Sequence, residues 1–108
     1  MIRVTFNLNS DHLITAFQMA GHADAGPYGQ DIVCAAASAL SISTINGLTQ
    51  VAKTKPNVDS DDDNGGFLDV TDISLAHDAQ IIMQTFFNGI NDIAESYPQN
   101  IEIKMFEN

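Results

Sequence analysis

Cys34 and His22 are the residues of this chain whose types and spacing allow covalent chemistry. Cys34 is its only cysteine, and His22 precedes it by twelve positions. A thiol attacks a carbonyl carbon as its thiolate, and a nearby imidazole can take the proton. The run Asp31-Ile32-Val33-Cys34-Ala35-Ala36-Ala37-Ser38 predicts a helix that opens at an aspartate N-cap. Cys34 then stands in the first turn, where unpaired N–H groups and the helix dipole favour an anion. The same N–H groups could hold an oxyanion. Gly21, Gly26 and Gly29, with Pro27 and Tyr28, fill the segment between the two residues. Such a loop can fold an imidazole back over the helix start. The chemistry would be acyl transfer through a thioester.

Each of these residues also has a plainer reading. A lone cysteine among Ile32, Val33 and alanines fits an inert core position. Asp31 fits a helix cap, and could also orient His22 as the third member of a triad. Ser38 lies four residues after Cys34. Its hydroxyl could reach the sulfur or bond back to its own helix. Tyr28 could touch a substrate or anchor the loop.

Other motifs fail on inspection. In the acidic run from Asp59, the sixth position is Asn64 where a calcium loop needs glycine, and the twelfth is Val70 where it needs glutamate. The loop before Asp31 has neither the lysine ending of a phosphate loop nor a G-x-G-x-x-G spacing. His12, His22, Cys34 and His77 lack paired zinc-ligand spacing. No metal and no cofactor is expected.

The elements that position these residues follow from periodicity. Ile2, Val4, Phe6 and Leu8 alternate as a strand. Asn9-Ser10-Asp11 predicts a turn into a second strand, Leu13 to Met19, with Leu13, Phe17 and Met19 on one face. The helix from Asp31 should run to about Ala52, with its first half, Ile32 to Leu40, buried. Asn57 to Asp59 begins a third strand, and the acidic turn leads into another at Phe67, Leu68 and Val70. A second helix runs from about His77 to Tyr97, with Ala79, Ile82, Met83, Phe86, Ile90, Ile93, Ala94 and Tyr97 on its apolar stripe. Ile101, Ile103 and Met105 end the chain as a strand. The fold class is α+β: a two-layer sandwich in the order β-β-α-β-β-α-β. Both helices pack on one face of a mixed, mostly antiparallel sheet.

Composition narrows the function. The 108 residues suit one domain spanning residues 1–108. A net charge of −10 disfavours nucleic acid and anionic membranes and welcomes basic partners. One cysteine excludes an internal disulfide. No signal peptide and no apolar stretch long enough to span a bilayer is read here, so the expected compartment is the cytoplasm.

Gly21-His22-Ala23, Gly29 and Asp31-Ile32-Val33-Cys34-Ala35-Ala36-Ala37-Ser38 resemble the signature of the ribosomal-processing cysteine protease Prp family. Gly65-Gly66-Phe67-Leu68 and Ser96-Tyr97-Pro98-Gln99-Asn100-Ile101 extend the resemblance over nearly the whole chain. Asp69 and the Asp61–Asp63 run make this chain unusually acidic beside the family pattern. The resemblance implies a small α/β sandwich that forms a homodimer. It implies an endopeptidase that removes the N-terminal extension of a large-subunit ribosomal protein, cleaving after a phenylalanine-containing stretch. It makes His22 and Cys34 the catalytic pair. Two rivals stay open from the residues alone: another Cys-His acyl-transfer hydrolase, and a non-catalytic acidic module that binds a basic ribosomal protein.

Overall fold

The computed structural model describes residues 1–21, Gly26, 31–61 and 66–107. The order is β1 (Ile2–Leu8), β2 (Ile14–Ala20), α1 (Ile32–Asn46), β3 (Asn57–Asp61), β4 (Phe67–Thr71), α2 (His77–Ser96) and β5 (Ile101–Glu107). A π-helical turn, Gly47–Val51, continues α1. The five strands form one sheet in the spatial order β3-β4-β2-β1-β5. Only β1 and β5 pair in parallel; the other neighbours are antiparallel. This is the predicted mixed sheet with two helices.

Alternation decides which face is buried. Ile2, Val4, Phe6 and Leu8 of β1 point to the core, with Phe17 opposite Phe6 and Met19 opposite Val4. Val70 and Ile101 extend this apolar face on either side. α2 lays Ala79, Met83, Phe86 and Ile90 against it. Phe86 meets Phe17 with ring centroids 4.7 Å apart and Phe6 at 5.7 Å. Such tilted aromatic contacts add to simple area burial.

The β1–β2 hairpin turns on Asn9. Its Oδ1 accepts the N–H groups of Asp11 and Leu13 at 2.9 and 3.0 Å. The expected inward position of Leu13 is corrected. Asn7 pairs with Ala16, but Leu8 pairs with Ile14, so Thr15 is an extra residue that flips the alternation. Ile14 therefore takes the core position, 2% exposed, and Leu13 precedes the strand.

α1 departs from expectation in three ways. Its first half is not buried: Ile32 is 63% exposed, Ala35, Ser38 and Ala39 are exposed, and only Val33 and Ala37 of that half are core. A helix of small and apolar residues has no strong face, so composition could not show which side would be covered. Its α-helical part ends at Asn46, short of the expected Ala52. There the Ala52 N–H donates to the Gly47 carbonyl, a five-residue span, and the Thr49 hydroxyl bonds the Ile45 carbonyl. Finally, Ile32–Val51 has 20 residues, contains a window with a mean hydropathy of 1.5, and is long and apolar enough to cross a membrane by length and composition. The expectation of no such stretch missed this one because its alanines, isoleucines and leucines are spread among serines and threonines. In the fold, Val33, Ala37 and Leu48 of that segment belong to the core. Tyr97, expected on the stripe of α2, lies just beyond the helix as its C-cap and is 39% exposed.

Candidate active site

Asp31 builds the start of α1. Its backbone is extended, at φ −79° and ψ 103°. Its Oδ1 accepts the N–H groups of Val33 and Cys34, both at 3.0 Å, and its carbonyl accepts that of Ala35 at 3.1 Å. The N-cap expected from the sequence is thus present, and Cys34 stands at the third helical position. Three of the helix-start N–H groups are committed to Asp31. Among the described residues, only the N–H of Ile32 in this turn is left for another acceptor.

Cys34 is half-buried and packs against the core on one side. On the other it lines a cleft of about 1040 Å³. The wall formed by α1 carries Cys34, Ser38, Ile42 and Ile45, while Met19 and Leu68 contribute from the sheet. Val58 and Ser60 of β3 line the same cleft. Volume and apolar lining are those of a ligand site, with the sulfur as one of its few reactive groups. Cys34 is therefore not sealed in the core, as the inert reading required.

The other candidate residues divide sharply. His22, Tyr28 and Gly29 lie outside the described residues, as do Pro27 and the 62–65 part of the acidic turn. Gly21, Gly26, Asp31 and Ser38 all line the cleft with Cys34. Gly21 adopts φ +95°, and its N–H donates to the Gly66 carbonyl at 3.1 Å. That bond fixes the chain one residue before His22 beside the end of the segment that leads into β4. Among the described residues the Ser38 hydroxyl makes no hydrogen bond; its carbonyl accepts the Ser41 hydroxyl at 3.1 Å. No group of three potential metal ligands occurs among the described residues.

Sequence reasoning missed the far side of the cleft. Val58, Ser60, Phe67 and Leu68 sit there because β3 and β4 lie at the sheet edge that α1 leaves uncovered. Nothing in the local pattern gives the strand order, so the only signal was the alternation of Val58 and Ser60 with aspartates.

The sequence profile of the family described as cysteine protease Prp matches residues 1–102. This chain belongs to the Prp family. Its enzyme class is therefore that of a cysteine protease. A curated relative, the ribosomal processing cysteine protease Prp of Staphylococcus aureus, is 38% identical over 104 residues, covering 95% of this chain and 97% of its own length. The crystal structure of an essential ribosomal processing protease Prp from S. aureus with a covalently linked product peptide superposes with a TM-score of 0.90. It is 35% identical and covers 97% of this chain and 99% of that one. A crystal structure of the S. aureus Prp with a substrate peptide gives a TM-score of 0.77 at 36% identity, with the same coverage. The Prp fold thus accounts for the whole sheet and both helices described above.

Proposed function

We propose that this chain is an endopeptidase acting as one catalytic domain over residues 1–108, which removes the N-terminal extension of a large-subunit ribosomal protein. Cleavage follows a phenylalanine-containing stretch, in the cytoplasm, by a homodimer. The observation that carries this reading is the position of Cys34, in the first turn of α1 and on the wall of an apolar cleft. The names of the relatives support the ribosomal substrate, and a net charge of −10 suits a basic one.

In this reading Cys34 is the nucleophile and His22 its base. His22 takes the thiol proton, and the thiolate sulfur bonds the scissile carbonyl carbon. The tetrahedral oxyanion collapses to a thioester as His22 returns the proton to the leaving amine. Water, deprotonated by His22, then hydrolyses the thioester and restores the thiol. The N–H of Ile32 is the helix-start donor left for the oxyanion, because Asp31 holds those of Val33 and Cys34. The loop of Gly21, Gly26, Tyr28 and Gly29 covers the substrate and carries His22 to it.

Intact-mass analysis of an N-terminally extended large-subunit ribosomal protein tests this directly. The native chain should remove the extension, and Cys34→Ala and His22→Ala should leave it in place. No cleavage of a folded substrate by the native chain would favour the acidic binding module.

A further inference from the structure

The cleft has an open rim. Among the described residues β3 is the terminal strand of the sheet, and β4 is the strand it pairs with. All five of its residues are exposed. Alternation sends Val58 and Ser60 into the cleft that holds Cys34, and Asn57, Asp59 and Asp61 to the opposite face. Asp59 is paired across the strands with Asp69 of β4. Like charges in direct register weaken a strand pair. Asp69 is held by the Gln18 amide at 2.8 Å, and no lysine or arginine forms an ion pair with Asp59 or Asp69 among the described residues.

We propose that the outer edge of β3, at Asn57 to Ser60, takes up an extended, lysine- and arginine-bearing segment of the protein substrate as a sixth strand, beside the segment cleaved at Cys34. This deepens the proteolytic reading and rests on it. Edge strands attract other chains, and main-chain bonds to them give affinity with little demand on sequence. The acidic row selects what can pair. A second copy of this chain would set one acidic strand against another, on a molecule of net charge −10. A cationic strand instead relieves the repulsion between Asp59 and Asp69. Because Val58 and Ser60 line the cleft, a strand on β3 lies beside it. The docked segment then tethers the scissile bond near the sulfur and contributes mainly to binding.

The experiment uses the full chain and two synthetic peptides that share a cleavage sequence taken from an N-terminally extended ribosomal protein. One carries a flank with lysine and arginine, the other a glycine-serine flank. With Cys34→Ala, which binds without turnover, amide hydrogen exchange across residues 57–61 should slow with the basic peptide and not with the neutral one. In the active chain, Asp59→Asn should lower the ratio of kcat/KM between basic and neutral peptides by about twofold to fivefold, the range of one exposed ion pair, through KM. Unchanged exchange at 57–61, with α1 residues around Cys34 protected, overturns the docking strand and leaves the protease intact. An unchanged ratio with slowed exchange overturns the charge selection. Failure of the active chain to cut either peptide overturns the proteolytic reading and the inference with it.

Discussion

The carboxylate of Asp31 accepts the backbone N–H of Cys34 at 3.0 Å, through the same oxygen that accepts the N–H of Val33. The cap and the candidate nucleophile are therefore tied through the main chain, and one carboxylate oxygen suffices for capping. Asparagine has an equivalent oxygen and no charge. Asp31→Asn should keep the helix start and lose less than about 0.5 kcal/mol, whereas Asp31→Ala should cost about 0.5–2 kcal/mol. Urea unfolding of both variants checks this. Activity separates the second role. If Asp31 only caps, Asp31→Asn keeps kcat within about threefold of the native value. If it orients His22, kcat falls by orders of magnitude, as when a triad carboxylate is neutralised, with stability unchanged.

Gly21 is required by backbone and by space together. It holds φ +95°, and a Cβ there would collide with the Met1 carbonyl oxygen. Gly21→Ala should unfold more easily by about 1–3 kcal/mol, the range for strained left-handed backbone. Its larger effect should be on the residue that follows, His22. The check is kcat/KM beside the rate of Cys34 alkylation by iodoacetamide. Activity should fall at least tenfold more than stability at assay temperature explains. A variant with native activity would show that the Gly21–Gly66 bond does not set the position of His22.

How much was legible in the sequence follows from which signals are local. The N-cap at Asp31 and the stripe from Ala79 to Ile90 depend on residues within a turn or two, and both stand as read. The bulge at Thr15 was hidden, because Leu13, Ile14 and Phe17 fit either alternation and only the pairing of Leu8 with Ile14 decides. The exposed side of α1 was hidden for the opposite reason. With Ile32, Ala35, Ala39 and Ile42 on one side and Val33, Ala37 and Leu40 on another, hydrophobicity is nearly uniform round the helix. The cleft exists because α1 leaves the β3–β4 edge uncovered, and that depends on strand order, which no short window contains.

Gln80 is a polar residue in the core whose role periodicity also concealed. It is 7% exposed; its Oε1 accepts the Ile14 N–H and its Nε2 donates to the Ile14 and Ser74 carbonyls, at 2.9, 2.9 and 3.0 Å. It pins the start of β2 to α2. Gln80→Leu should cost about 2 kcal/mol or more, because buried main-chain groups lose their partners. Gln80→Glu gives a signed pH test. Burial against two carbonyls favours the neutral acid, so its folded-state pKa lies above the unfolded one. The folded state then binds more protons, and stability falls as pH rises through that range. Thermal unfolding across acidic to neutral pH checks this; a profile parallel to that of the native chain would exclude burial of the introduced carboxylate.

Ser38 allows the cleft to be tested apart from the chemistry. It lies one turn beyond Cys34 on the exposed wall of α1, and its hydroxyl makes no hydrogen bond among the described residues. Ser38→Ala removes no bond, so kcat/KM should stay within about twofold, as for surface substitutions away from any special contact. Ser38→Trp places a large ring in the space a substrate side chain would occupy. KM should then rise about tenfold or more, since one bulky group lost from an apolar pocket is worth about 1–3 kcal/mol. Iodoacetamide is small enough to reach Cys34 past the ring, so its alkylation rate should hold. If Ser38→Ala instead slows alkylation and kcat together, the hydroxyl acts on the sulfur during turnover and the plain cleft-wall role is wrong. If Ser38→Trp leaves KM unchanged, the peptide does not lie along this face of α1.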